Sequence, residues 1–256
     1  MKTTIEISSN QSISIDLDKP IDISIPLNTA GPNPNCYYAD EVSVEIIRSG
    51  NFIGSVKEGG AVNYKKLFFT PHGNGTHTEC LGHITAGETS INQALTTFNF
   101  YARLITVEPI MLDNGDYVID DNALGPALQI NNHKALIIRT LPNDDTKLVR
   151  QYSGQNPPYF TKESLELLVD RGVEHILVDL PSIDKEEDAG KLEAHRAFWQ
   201  MHKTPRSGAT ITELIYVPNE IEDGDYFLQL NIPSLEMDAA PSKPVIYQIL
   251  RPSEDN

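Results

Sequence analysis

The stretch Thr70-Pro71-His72-Gly73-Asn74-Gly75-Thr76-His77-Thr78-Glu79-Cys80-Leu81-Gly82-His83-Ile84 concentrates more chemistry than any other part of the chain. Three of the seven histidines fall within twelve residues, beside a carboxylate and one of the two cysteines. Neutral imidazole and carboxylate are the usual ligands of zinc and similar divalent ions. Interleaved glycines let a backbone wrap several ligands around one ion. The preceding Leu67-Phe68-Phe69 reads as the end of a buried strand. In an extended chain His77 and Glu79 point to the same side, because strand side chains repeat with period two. A polar surface loop would account for a single such histidine, but three of them with a glutamate in a Gly-rich turn point to a metal site. A zinc finger would require Cys-x-x-Cys pairs and a metalloprotease helix His-Glu-x-x-His; the stretch contains neither.

The 256 residues suffice for one large domain or two small ones, and 39% hydrophobic content supplies an ordinary globular core. A net charge of −16 argues against nucleic acid as a partner, which needs basic surface to replace counterions, and against an anionic membrane surface. No basic start followed by an apolar run suggests a secretory signal, and no apolar stretch approaches the ~20 residues that span a bilayer. Two cysteines, Cys36 and Cys80, make a disulfide framework a poor expectation. Cytoplasmic residence fits these features.

Around the central stretch the pattern is one of strands, then of alternating helices and strands. Thr4-Ile5-Glu6-Ile7 and Ser12-Ile13-Ser14-Ile15-Asp16-Leu17 alternate as half-buried strands of a hairpin. Gly31 to Asn35 is a loop, ending in Tyr37 and Tyr38. Residues 41–70 read as strands around a turn at Glu58-Gly59-Gly60. Ser90 to Arg103 fits a helix or a loop, and Leu104 to Val107 a strand. Asn114-Gly115-Asp116 is a hairpin turn, and Ala123 to Ile130 a short helix. Ala135 to Thr140 is a buried strand. Thr161 is placed to cap a helix carrying Leu165, Leu168 and Val169 on one face, which Gly172 ends. His175 to Leu180 is then a buried strand. Helix, glycine, buried strand is an α/β order of elements.

A helix is expected over Glu186 to His202, with Leu192, His195, Trp199 and His202 on one face. His195 therefore points where apolar residues point, as a core histidine satisfied by one hydrogen bond would. In the strand from Ala209 to Val217, Ile211, Glu213 and Ile215 fall on one side. A carboxylate between two isoleucines is costly to bury unpaired. Glu213 needs a cation, a metal or a hydrogen-bond donor, unless that face is exposed or an arginine pairs with it. Tyr226 to Leu230 and Val245 to Tyr247 close the chain as strands.

The central stretch resembles the signature of the cyclase-like metal-dependent hydrolases, the family of kynurenine formamidase (arylformamidase) and isatin hydrolase, which runs His-x-Gly-Thr-His-x-Asp-x-Pro-x-His. Gly75-Thr76-His77, Glu79 and His83 keep its spacing. The first His would fall at Gly73, where the nearest histidine is His72; Glu79 stands for the Asp and Leu81 for the Pro. Asp22-Ile23-Ser24-Ile25-Pro26, Ala135 to Thr140, Asp179-Leu180-Pro181-Ser182-Ile183-Asp184 and Ala194-His195-Arg196 resemble further family segments, so the likeness spans most of residues 20–250.

The resemblance implies one α/β domain over 1–256, a mixed barrel-like sheet with outer helices (the swivelling β/β/α fold). It implies one or two zinc or manganese ions held by His72, His77, Glu79, His195 and Glu213, with Glu79 able to bridge and His83 as general acid/base. Tyr37 and Tyr38 would wall the pocket for a small-molecule amide substrate, or simply pack on a sheet edge. Cys80 reads as a small buried residue rather than a ligand. The implied activity is metal-dependent hydrolysis of a non-peptide C–N bond. Arylformamide cleavage in tryptophan catabolism, N-formylkynurenine to kynurenine, is the first candidate. A homodimer or homotetramer is the family expectation. The altered first His and acid leave open a non-catalytic metal- or ligand-binding relative, or a metal-free fold in which His195 and Glu213 pair.

Overall fold

A computed structural model describes residues 1–87, 89–125 and 132–250. The central buried runs of the sequence become a nine-stranded mixed sheet. Its strands, in chain order, are β1 (Ile21–Asp22), β2 (His77–Glu79), β3 (Asn99–Val107), β4 (Ala135–Thr140), β5 (His175–Val178), β6 (Thr210–Glu213), β7 (Gly224–Asn231), β8 (Ala239–Pro241) and β9 (Lys243–Gln248). Their spatial order is β8-β2-β6-β5-β4-β3-β7-β9-β1. The four middle strands, β6, β5, β4 and β3, run parallel, and those on either flank are antiparallel. The sheet curls into a half-barrel. Just past β1, Ser24 pairs with Ile215 beyond β6, and the Tyr216 N–H donates to the Ile23 carbonyl at 2.9 Å.

Both faces of the two innermost strands, β4 and β5, are apolar, which is why they read as continuous hydrophobic runs. On β4, Leu136 and Ile138 face the outer layer, where helices α1 (Lys162–Asp170) and α2 (Glu193–Phe198) supply Leu165, Leu168, Ala194 and Phe198. Ala135 and Ile137 face the inside of the curl with Leu104, Leu177, Leu228 and Ile246. Thr161 caps α1 as its sequence suggests, accepting from the Ser164 N–H at 3.2 Å, and Gly172 leaves it at φ +81°. At the end of β4 and β5, a buried Lys147 donates to Asp179 at 2.7 Å and to the Thr140 carbonyl at 2.7 Å.

The N-terminal hairpin pairs Lys2–Ser8 with Gln11–Asp16, and the Asn114–Asp116 turn joins Ile110–Met111 to Tyr117–Ile119. Ser90 to Arg103, expected as helix or loop, contains a helical turn Ile91–Ala94 capped by Ser90, but from Asn99 onward it is strand, the start of β3. Of the helix expected over Ala123 to Ile130, Ala123 and Leu124 end the turn Asp121–Leu124, and residues 126–130 lie outside the described residues.

Four expectations are corrected. Leu67 and Phe68 are 45% and 49% exposed, because their strand Lys65–Phe68 pairs only with Ser43–Ile46 in a ribbon separate from the main sheet. The helix expected from Glu186 to His202 forms only over α2. Ala189, Gly190 and Leu192 sit at φ +58°, +73° and +49° before it and Gln200 at +51° after it, conformations a right-handed helix excludes. His202 is consequently exposed and shares no face with His195. Finally, Ile215 leaves the side shared by Ile211 and Glu213. Leu214 at φ +54° resets the alternation, and Ile215 turns into the inner cluster. Among the described residues no helix is long and apolar enough to cross a membrane.

Candidate metal centre

The Gly-Thr-His run is fixed by its threonine. The Thr76 hydroxyl donates to the carbonyl of the left-handed Leu214 and accepts the Ile25 N–H at 2.7 Å, tying β2 to β6 and to the N-terminal segment. In β2, antiparallel to β6, His77 lies opposite Glu213 and Glu79 opposite Ile211. His77 and Glu79 thus share a face, as period two requires. His72 comes from a helical turn, Pro71–Asn74, and His83 from a 3₁₀ turn, Leu81–Ile84. His195 stands in the first turn of α2.

These side chains converge. The His72 Nδ1 lies 3.2 Å from Glu79 Oε2, and the His83 Nε2 3.7 Å from the same oxygen. His195 Nε2 is 2.9 Å from Glu79 Oε1 and 4.0 Å from Glu213 Oε1, and His77 Nε2 is 3.3 Å from Glu213 Oε2. His77, Glu79, His195 and Glu213 are buried and form the floor; His72 and His83, with side chains 25% and 31% exposed, form the mouth.

Two residues outside the ligand set expected from the sequence complete the arrangement. Asp184 accepts the Ala194 N–H at 2.7 Å and the His195 N–H at 3.1 Å, and its carboxylate also meets His195 Nδ1. It caps α2, whose own N-cap Leu192 has no side-chain acceptor to offer. Asp238, just before β8, places Oδ2 3.0 Å from His72 Nε2 and 3.2 Å from His83 Nδ1. Asp184 closes the Asp-x-Pro-Ser-x-Asp segment visible in the sequence, whereas nothing in the spacing of Glu236-Met237-Asp238 signals a site residue.

The donor set fits a divalent cation. The His77 Nδ1–H donates to the Gly75 carbonyl at 3.0 Å, which leaves a lone pair on Nε2 facing the Glu213 carboxylate. Two lone pairs opposed at that distance repel unless a cation, a proton or a metal ion, is shared between them. His77 Nε2 is in fact buried with no hydrogen-bond partner, an arrangement that costs free energy when nothing compensates it, and the buried Glu79 Oε2 has only the ring nitrogens of His72 and His83 before it, at 3.2 and 3.7 Å. Histidine nitrogens and carboxylate oxygens of His72, His77 and Glu79, of Glu79, His83 and His195, and of His72, His83 and Asp238 lie close enough for each set to hold an ion. His72, His77 and His195 each turn their other ring nitrogen to an oxygen acceptor, of Asp238, Gly75 and Asp184 respectively. That outer hydrogen bond is what metal-binding histidines usually make.

The charges are mutually dependent. Burial opposes a charge on His72, but hydrogen bonds to Asp238 and Glu79 outweigh it and push its pKa up to about 10. Burial likewise opposes a charge on His195, yet Asp184 and Glu79 hold it at about 10. Burial alone would raise Glu79; His195 above all draws it well below the usual carboxylate range. Asp238 is lowered to about 2 by its hydrogen bond with His72.

Tyr37 as a whole is 45% exposed, yet its hydroxyl end is enclosed. Burial pushes the phenol up, helped by the Glu213 charge, while a hydrogen bond with Ser182 works the other way. The structure therefore brings the Tyr37 hydroxyl toward the centre. Tyr38, 75% exposed, is held outside by its N–H donating to Ser153 Oγ at 2.9 Å. Cys80 is buried in the inner cluster and donates to the Thr89 carbonyl.

Residues 15–185 match the model of the Cyclase family, more than half of the chain. The chain belongs to that family, in agreement with the signature around His77. The match stops short of His195 and Glu213, whose places beside Glu79 and His77 respectively come from the fold. The structure is similar to one described as a predicted metal-dependent hydrolase from Bacillus stearothermophilus, at 15% identity and a TM-score of 0.64, over 90% of this chain and 98% of that one. It is also similar to isatin hydrolase A from Labrenzia aggregata bound to benzyl benzoate (12% identity, TM-score 0.62, covering 90% and 93%). Isatin hydrolase A from Ralstonia solanacearum is a third neighbour (14% identity, TM-score 0.61, covering 90% and 91%). At these identities the likeness is one of fold. No curated protein matches the chain.

Proposed function

We propose that the protein is a metal-dependent hydrolase of a non-peptide C–N bond in a small-molecule amide, formamide or cyclic amide. The observation that carries this reading is the buried, unpartnered His77 Nε2 beside the buried Glu79 carboxylate, on which His72, His83 and His195 converge. His72, His77 and Glu79 would hold one zinc or manganese ion, and Glu79, His195 and Glu213 a second. A bound ion of this kind supplies an activated water at neutral pH and polarises the carbonyl under attack.

The remaining work falls to the chain itself. His83, at the mouth, has its Nε2 turned inward and would move a proton to the leaving nitrogen. The Ile183 N–H donates to Glu213 Oε1 at 3.0 Å and fixes that carboxylate. The Tyr37 hydroxyl borders the centre and is placed to contact substrate.

The names of the fold neighbours, metal-dependent hydrolase and isatin hydrolase, support the reaction class. Arylformamides, with N-formylkynurenine first, are the substrates to try, followed by isatin-like cyclic amides. A cytoplasmic homodimer or homotetramer accompanies this reading; the apolar, exposed Leu67 and Phe68 on the separate ribbon are surface that a second copy would cover.

The test is metal content by plasma mass spectrometry after dialysis against zinc or manganese, then turnover on that panel. One or two retained ions with turnover support the proposal. Ions without turnover on any amide would favour the non-catalytic relative, and no retained ion would refute the hydrolase reading.

A further inference from the structure

Asp238 is held in place more firmly than its position on a connecting segment suggests. Its carbonyl accepts the Cys80 N–H at 3.0 Å, and the Cys80 carbonyl in turn accepts the His83 N–H at 2.9 Å. One residue of β2's exit thus fixes both Asp238 and His83. The neighbouring Met237 carbonyl accepts the Ile91 N–H at 2.7 Å, and Asn92 donates to Glu236 at 2.6 Å. Gly82 allows this packing: a Cβ there would lie 2.1 Å from the Thr89 carbonyl oxygen and 3.3 Å from the Asp238 Cβ.

The carboxylate so presented meets two imidazoles through a single oxygen, His72 Nε2 at 3.0 Å and His83 Nδ1 at 3.2 Å, and the two rings lie 4.3 Å apart, tilted by 33°. Both rings turn their other nitrogen to Glu79 Oε2. A carboxylate oxygen can accept two N–H groups, so each ring is clamped by its outward N–H and directed inward with the opposite nitrogen.

The need for the clamp is visible at Gly73. A Cβ at Gly73 would strike the Ala39 Cβ at 2.4 Å, so in this packing no side chain can be presented from that position, and the ligand comes from His72. His72 reaches the centre from a one-turn helix, at the partly exposed mouth, where its own backbone does little to fix the ring.

We propose that Asp238 is the positioning residue of this centre, a shared carboxylate that orients His72 to receive a divalent cation through Nδ1 and His83 to serve the reaction through Nε2. This rests on the hydrolase reading above.

The test is calorimetric titration of zinc or manganese into metal-free wild-type protein, Asp238→Ala and Asp238→Asn, with kcat and KM measured on the loaded proteins. The expected result for Asp238→Ala is a 10–100-fold weaker first ion, on the order of the loss seen when an outer partner of a metal-binding histidine is removed. The second ion, on His195 and Glu213, should change by less than about twofold, and kcat should fall with KM held. Asp238→Asn, which keeps an acceptor oxygen of similar shape, should recover part of both losses. Cadmium loading gives an independent readout, since ¹⁵N–¹¹³Cd couplings identify the coordinating nitrogen: Nδ1 of His72 in wild type, a mixture of Nδ1 and Nε2 in Asp238→Ala. Wild-type protein that binds two ions while Asp238→Ala is indistinguishable in affinity, kcat and coupling would overturn the role of Asp238 alone. Wild-type protein that binds no ion would overturn the hydrolase reading, and this one with it.

Discussion

Metal binding to this centre should release protons, and the number follows from the hydrogen bonds. His195 has carboxylates at both ring nitrogens, Asp184 at Nδ1 and Glu79 at Nε2. His72 is likewise placed between Glu79 and Asp238. Burial disfavours charge on both rings, yet these carboxylates raise each pKa to about 10, so in the metal-free protein both are imidazolium at neutral pH. The protons stand where cations would otherwise compensate the carboxylates. An ion taken through His72 Nδ1 and another through His195 Nε2 must each displace one, because a ligating nitrogen has to be deprotonated.

At pH 7.5 the two sites together should release about two protons, whereas two histidines at the ordinary pKa of about 6.5 would release only about 0.2. Apparent affinity for each ion should rise about tenfold per pH unit, about 1.4 kcal/mol, and level off near pH 10. Calorimetry at one pH in buffers of different ionisation enthalpy counts the protons directly. A release of about 0.2 protons, or affinity flat from pH 7 to 9, would refute the coupling between these histidines and their carboxylates.

Other outcomes follow from the same geometry. His83→Ala should lower kcat by about 10²–10⁴-fold, the usual contribution of a general acid/base, and leave both ions bound by mass spectrometry. Metal-free protein should lose stability as pH rises from about 6.5 to 10: His72 and His195 bind protons more tightly folded than unfolded in that window, so their contribution is full below it and lost above it. Thermal melts from pH 6 to 10 measure this, and saturating metal should flatten the curve. Lys147→Met strands the buried Asp179 carboxylate and should cost about 3–5 kcal/mol, a fall in Tm of roughly 10 °C. Replacing both partners with apolar residues should cost less.

What could be read from the sequence was whatever local periodicity or fixed spacing dictates. β4 and β5 are continuous apolar runs and α1 carries its cap and terminating glycine, and their burial follows from that composition. His77 and Glu79 share a face because two residues of a strand must. The length of α2 was not legible, since nothing in Asp188-Ala189-Gly190-Lys191-Leu192 announces three left-handed residues that postpone the helix until Asp184, ten residues upstream of Ala194, caps it. The exposure of Leu67 and Phe68 was hidden for a related reason. An apolar strand looks the same whether it joins the main sheet or pairs in a ribbon of its own.

Asp238 lies 155 residues from His83 and 166 from His72, a separation at which only the completed sheet brings β8 against β2. Its role also explains why the signature can be imperfect. Read as spacing alone, a first histidine moved from 73 to 72 subtracts a ligand. In the fold, Ala39 packs against Gly73 and leaves no room for a side chain there, while His72 rises from the helical turn between Glu79 and Asp238 with one ring nitrogen to each. Asp238 supplies the acceptor for the ring nitrogen that His72 turns away from Glu79. With Ala39 packed against that position, Gly73→His should weaken metal binding, measured by calorimetric titration, rather than add a ligand, and unchanged or tighter binding would refute this.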